Sequence, residues 1–151
     1  MIMLKIIRTS SLSENQIKLI CNLKNQEWRF GIKSQLNFFK KNIKKNDLHN
    51  LLIVKEKIIG YTCLRRHKSN HFKKYIFIFD TFMIDKKYRN MGYAKVLMTY
   101  VIKNIKRFKR NSILSCNKDM IKFYKKYGWK ILLNKHYERN NNNVFLIYNI
   151  K

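Results

Sequence analysis

An α/β domain is what the hydrophobic periodicities of this chain predict, and three features carry the prediction. Runs with the two-residue period of strands alternate with runs at helical spacing. Tyr75 to Ile84 is the most apolar run and is rich in aromatic and β-branched residues, so it predicts a buried central strand. Directly after it, Ala94, Leu97, Met98, Val101, Ile105 and Phe108 line one face of a predicted helix of about four turns, while Lys95, Thr99, Lys103 and Lys106 line the other. The 151 residues fit one domain, and with no proline and only four glycines no linker, repeat or boundary stands out.

Ile2 to Arg8 predicts the first strand. Ser13-Glu14-Asn15-Gln16 has the form of a capping box and opens a helix carrying Ile17, Ile20 and Cys21. Ile32, Leu36, Phe39 and Ile43 predict a second helix. Leu51 to Val54 and Ile58 to Leu64 predict a hairpin around Glu56-Lys57, although that turn lacks the usual Gly or Asn. After the central strand and its helix, Ile113 to Cys116 predicts another strand, and Asn117 can cap a helix with Asp119 in its first turn and an end at Gly128. Trp129 to Leu133 and Val144 to Tyr148 are the last predicted strands, with the Asn140 to Asn143 patch as the loop between them.

Composition bounds the function classes. An apolar content of 46% with 14% aromatic residues argues against a disordered tail despite a net charge of +26. That charge points to nucleic acid, an acidic membrane surface or an anionic substrate. Yet Lys outnumbers Arg by 26 to 8, beside 20 Ile and 18 Asn, and an AT-rich coding sequence produces the same joint bias. The scarcity of Arg also weighs against base-specific DNA readout, and no nucleic-acid recognition motif accompanies the charge. Cys21, Cys63 and Cys116 are odd in number and lack partners at metal-ligand spacing, so free thiols and no metal are expected. The N-terminal apolar run is too short for a signal peptide and nothing approaches a membrane span, which together predict a soluble, cytoplasmic protein. A homodimer is left open.

The loop Asp85-Lys86-Lys87-Tyr88-Arg89-Asn90-Met91-Gly92 turns the central strand into the next helix. The first N–H groups of a helix have no internal partner and the helix dipole adds positive potential there, so the position favours an anion. Gly92 lacks the Cβ that would keep a pyrophosphate away, and Lys86, Lys87 and Arg89 add charge. Neither the mononucleotide nor the dinucleotide glycine pattern is present. Alone, the loop is also compatible with an ordinary strand-to-helix connection.

Downstream stands Asn117-Lys118-Asp119-Met120-Ile121-Lys122-Phe123-Tyr124-Lys125-Lys126-Tyr127-Gly128-Trp129. With it, the chain resembles the GNAT (Gcn5-related N-acetyltransferase) superfamily. Arg89-x-x-Gly92-x-Ala94 matches the family's acetyl-CoA loop, and Asn117 with Phe123-Tyr124-x-x-x-Gly128-Trp129 matches its later segment. The match is good over about Ile58 to Leu132 and holds only in element order before that. Two departures stand out: Asn90 where a Gly is frequent, and Met120 where a small residue is usual. The resemblance implies one GNAT-like domain over residues 1–151, a mixed, mostly antiparallel sheet of about six to seven strands flanked by about four helices. It implies acetyl-CoA as co-substrate. The N–H groups around Met91, Gly92, Tyr93 and Ala94 would hold its pyrophosphate, Arg89 and Asn90 would belong to the same cofactor site, and Phe82, Met83 and Ile84 would pair with pantetheine. An N–H near Met83 would polarise the thioester carbonyl. Asn117 would contact the pantetheine arm, and Tyr124 would give a proton to the leaving thiolate.

Acyl transfer to an amine needs the amine neutral and a base for its proton. Asp80 is the candidate: by alternation it shares a strand face with Ile76, Ile78, Phe82 and Ile84, and burial there would raise its pKa from ~3.9 towards neutrality. A structural carboxylate is the alternative. Trp28, between the two early helices, and His49, before the second strand, are candidates with Asp80 for the acceptor site. Tyr124 has a plain alternative as a core aromatic beside Phe123 and Tyr127. The acceptor read from all this is a primary amine of a small molecule, an amino sugar, nucleotide-linked or not, or an aminoglycoside. A protein or peptide amine and a non-enzymatic nucleic-acid-binding module are the other readings.

Overall fold

The capping box forms as a reciprocal pair. Gln16 N–H donates to Ser13 Oγ at 3.1 Å and Ser13 N–H donates to Gln16 Oε1 at 2.9 Å, which starts α1 (Glu14–Asn25) after β1 (Ile2–Arg8). The computed structural model describes residues 1–133 and 143–150. In α2 (Ile32–Asn42), Leu36 and Phe39 point inward as expected, but Ile43 is already extended, with its N–H closing on the Phe39 carbonyl at 3.0 Å.

β2 (Leu48–Val54) begins earlier than its apolar run because His49 and Asn50 are buried polar residues with partners inside the fold. β3 (Lys57–Ser69) runs past Leu64 because the polar stretch from Arg65 to Lys68 pairs with Ile78 to Tyr75. The turn between them falls at Lys55 and Glu56, one residue before the expected place. Both have positive φ, +47° and +63°, the combination a two-residue turn needs to match strand twist.

β4 (Lys74–Ile84) is followed by α3 (Tyr93–Arg107), β5 (Ser112–Asn117), a 3₁₀ turn at Lys118–Met120 and α4 (Ile121–Lys125). The expected cap at Asn117 is absent: its side chain makes no capping bond, and the 3₁₀ turn comes before the α-helix. β6 shrinks to Lys130–Ile131, and β7 is Asn143–Tyr148. Of the expected Asn140 to Asn143 loop, only Asn143 lies inside the described residues.

Among the described residues the sheet has seven strands in the order β1-β2-β3-β4-β5-β7-β6, parallel only between β4 and β5, which α3 connects. β4 is central, as its apolar run predicted. α3 lays Leu97, Met98, Val101 and Ile105 on one face, against Leu52, Ile59, Leu64, Phe77 and Phe79. α1 and α2 cover the other face, where Ile20, Cys21, Leu23 and Phe39 meet Leu51, Tyr61, Cys63 and Met83. Among the described residues no helix is long and apolar enough to cross a membrane.

The close seat of α3 depends on Gly60. A Cβ there would lie 2.9 Å from Ile84 Cδ1, 3.1 Å from Leu52 Cβ and 3.2 Å from Leu97 Cδ2. Two of those atoms are side-chain tips that can shift, whereas the Leu52 Cβ is carried rigidly by β2. Gly60→Val is therefore expected to destabilise the protein by about 1–3 kcal/mol through overpacking. A urea titration would read this as a lower midpoint at unchanged slope, and an unchanged midpoint would refute the tight seat.

Candidate active site

The two neighbours of the parallel step separate almost at once. β4 and β5 pair only at Phe77 with Ser112 and Ile78 with Ile113, after which β5 stays with β7 as far as Asn117. From Phe79 onward, the edge of β4 that faces away from β3 has no strand partner among the described residues. A cleft of about 680 Å³ opens in the gap, lined by Phe79 to Phe82 of β4, Leu114 and Ser115 of β5, and Tyr124 of α4. Lys24, Trp28, Gln35 and Phe38 reach it from the α1–α2 side.

A bulge sets the geometry of β4. Cys63 pairs with Asp80 and Thr62 with Phe82, which leaves Thr81 as the extra residue with φ +59°. For a β-branched residue this is a genuine strain point. The bulge also corrects the expected face of Asp80. Alternation holds through Ile76 and Ile78 but is reset at Thr81, so Phe82 and Ile84 pack on the α3 side and Phe82 stacks on Phe79. Asp80 instead looks towards α2. The burial expected for it is missing as well: its side chain is 29% exposed and pairs with Arg65 Nη1 at 3.3 Å. Arg65 Nη2 donates to the Asn42 carbonyl at 3.2 Å, and Thr81 Oγ1 donates to Asp80 Oδ1 at 3.3 Å.

The loop after β4 is tied down at each step. Asp85 is buried, accepts from the Lys87 N–H at 3.0 Å and meets Lys57 Nζ at 3.0 Å, and its own N–H donates to the Ile59 carbonyl at 2.7 Å. Burial pushes the Asp85 carboxyl up, but the Lys87 N–H and the Lys57 and Gln26 side chains outweigh it and hold the carboxyl below its ordinary value. Arg89 donates from Nε to the Ile84 carbonyl at 3.0 Å and from Nη2 to Glu27. Its charge is therefore neutralised rather than free, and it acts as a strut from the strand end to the α1–α2 connection. Asn90 has φ +61°, a conformation that Asn tolerates better than most non-glycine residues, which accounts for its standing where Gly is frequent.

Gly92 is the N-cap of α3 with φ +82°, and nothing lies within 4 Å of where its Cβ would be. It offers no side chain to cap the helix, and no acidic residue occupies the first turn. The first ladder bond runs from Val96 N–H to the Gly92 carbonyl at 3.3 Å, so the N–H groups before it have no intrahelical acceptor. Met91 is exposed beside this end, and Tyr93 and Ala94 are half-buried within it. Met83 is itself packed in the α1–α2 core, opposite Tyr61 of β3.

Tyr124 is 8% exposed, edge-on to Phe79 and Trp129, and burial pushes its hydroxyl pKa up. It serves the core and lines the cleft at once. Trp28 also lines the cleft, and Asn117 is exposed at the end of β5. His49 does neither. It is fully buried, stacked between Phe39 and Tyr61 and bonded to Thr9 Oγ1 and Tyr61 Oη at 2.8 Å each, with its pKa lowered to about 4 by burial and by the nearby Lys24. It has no surface to offer an acceptor. Sequence reasoning missed Lys24, Arg65 and Asp85. A signal existed for the first, since Lys24 lies four residues after Ile20 on the apolar stripe of α1.

The two motifs carried a resemblance to one family, and the family comparison agrees with it. The model of the acetyltransferase (GNAT) family matches residues 17–129. The chain belongs to this family. The acetyltransferase uses acetyl-CoA as its co-substrate. Its fold is similar to ElaA from Escherichia coli, at 14% identity with TM-score 0.75 over 97% of this chain and 99% of that one. It is also similar to an acyl-CoA N-acyltransferase from Pseudomonas aeruginosa, at 12% identity with TM-score 0.76 over 97% and 99%. A third likeness is to an aminoglycoside 6′-N-acetyltransferase complexed with coenzyme A, at 11% identity with TM-score 0.69 over 95% and 96%. At these identities the likeness is one of fold. No curated protein matches the acetyltransferase in sequence.

The Asp85 anchor makes a pH-dependent prediction. A carboxyl held low in the fold contributes stability above its unfolded pKa of ~3.9, and that contribution is lost as pH falls through the folded value. Asp85→Asn should therefore cost about 1–3 kcal/mol at pH 7. Chemical denaturation down a pH series should find the difference from wild type closing below about pH 4. A difference that persists unchanged to pH 2 would contradict the anchor.

Proposed function

We propose that the enzyme transfers an acetyl group to a primary amine of a small molecule by direct attack in a ternary complex. The observation that carries this is the β4 edge released from β5, which opens on a cleft that contains Asp80 and Tyr124, in a strand that leads into the uncapped start of α3. Bound acetyl-CoA supplies a thioester carbonyl as the electrophile. The residues present fit it: the Cβ position of Gly92 is open, the N–H groups before Val96 have no intrahelical acceptor, and the first turn holds no acid to repel a pyrophosphate at Met91 to Ala94. Arg89 and Asn90 hold that loop in shape, and the β4 edge at Phe82, Met83 and Ile84 lies alongside the amide-bearing arm. Asn117, exposed at the end of β5, adds a side-chain contact to the arm.

In the reaction the C–N bond forms as the C–S bond breaks, so one proton leaves the amine and one reaches the sulfur. Asp80, directly or through water, takes the first, and its pairing with Arg65 orients the carboxylate. Tyr124 gives the second, and an N–H near Met83 draws charge from the carbonyl oxygen. Trp28 forms one wall for the acceptor. An amino sugar, nucleotide-linked or not, remains the acceptor the basic surface favours. The three free cysteines support a reducing cytoplasm as the site of action.

Acetyl-CoA should raise the melting temperature, and Gly92→Glu, which puts a negative side chain into the open space, should abolish the rise. A shift retained by that variant would remove the loop from the binding site. Asp80→Asn and Tyr124→Phe should each lower kcat by about 10²-fold or more while leaving the acetyl-CoA shift in place. Unchanged turnover across the pH range for either variant would strip that residue of its role.

A further inference from the structure

Lys24 is 7% exposed, lines the cleft, and pairs with no carboxylate among the described residues. Its Nζ lies 4.8 Å from the centroid of the Phe38 ring, a contact that recovers part of its lost hydration but leaves the charge unmatched. The other cation of the cleft is already engaged, since Arg65 bonds to Asp80 and to the Asn42 carbonyl. Among the described residues Asp80 is the one carboxylate lining the cleft, and Arg65 matches it. The balance is one spare positive charge and no spare negative charge.

The walls around that charge are aromatic. Trp28, Phe30 and Phe38 stand at the mouth, 41%, 72% and 43% exposed, and Phe79 and Phe82 stand deeper. Large aromatics exposed together in this way mark a binding groove rather than ordinary surface. The rim is held in place. Gln35 Nε2 donates to the Trp28 carbonyl at 2.7 Å, and Gly31 N–H donates to Asn25 Oδ1 at 2.9 Å.

Resting on the acetyltransferase reading above, we infer that the acceptor is an anionic amine with an aromatic or apolar body, whose anionic group is bound by Lys24. Its ring packs on Trp28, Phe30 and Phe38 while its amine approaches Asp80. A polycation, such as an aminoglycoside or a polyamine, would meet Lys24 and Arg65 with a single carboxylate between them. The anion is a carboxylate or a phosphate, two groups that an ammonium binds by the same chemistry.

The test is a set of matched acceptor pairs assayed by release of free thiol from acetyl-CoA. Phenylalanine against phenylalaninamide probes a carboxylate, a UDP-linked amino sugar against the free amino sugar probes a phosphate, and spermidine represents the polycations. In at least one pair the anionic member should have a kcat/KM about tenfold higher, and that pair identifies the anion. Lys24→Met, which keeps the apolar stem, should bring the ratio close to one, and Lys24→Arg should preserve it. Equal values within both pairs, spermidine as the best acceptor, or a ratio untouched by Lys24→Met each overturn the inference. If none of these amines turns over, calorimetric titration of N-acetylphenylalanine against its amide decides, and equal affinities overturn it. These outcomes presuppose a thermal shift with acetyl-CoA. Absence of that shift overturns the acetyltransferase reading instead, and the inference with it.

Discussion

A single threonine held at φ +59° in the central strand is the constraint on which the site depends. Thr81 adds one residue to β4 without adding one to β3, so the strand bends and its side-chain alternation reverses there. Before it, Phe77 and Phe79 face α3; after it, Phe82 and Ile84 do. Asp80 is thereby left facing α2, next to Arg65, instead of in the apolar layer. The same bend accompanies the separation of β4 from β5 after two paired residues, which opens the cleft and frees one edge of the strand. Strain of this kind persists only where the surroundings over-determine it, and β4 is braced by β3 along its length and by helices on both faces.

The second requirement is a helix start kept open. Most helices satisfy their first N–H groups with a Ser, Thr, Asp or Asn cap, as α1 does with Ser13. At α3 the N-cap is Gly92, and the loop before it is secured by other means: Asp85 on Lys57 and the Lys87 N–H, Arg89 on Glu27 and the Ile84 carbonyl, and Asn90 in a left-handed turn. Each anchor lies outside the helix end, so the donors stay free for an anion. Arg89, bonded to the Ile84 carbonyl and to Glu27, holds the shape of this loop.

Net charge and local charge tell different stories in this protein. A surplus of 26 positive charges over the whole chain does not distinguish a nucleic-acid binder from an enzyme with a drifted composition. Within the cleft the inventory is small and specific, one carboxylate matched by one guanidinium, one ammonium over an aromatic ring, and a rim of aromatic side chains.

The sequence by itself determined the order of elements, the central strand, the capping box and the loop with its glycine, because each is a local pattern of period, cap or turn chemistry. It also carried Asp80 and Tyr124 into view through motif and strand position, and both line the cleft. What only the tertiary structure decided depends on contacts between distant residues. His49 read as a cleft residue until Thr9 and Tyr61 closed around it, and Asp80 read as buried until Thr81 turned it towards Arg65. The polar residues of β2 and β3 hid strand that the partner strands extend. A bulge has no signature in composition, and a salt bridge between residues fifteen apart has none in periodicity. Both arise only when the register of one strand against the next fixes which side chains meet.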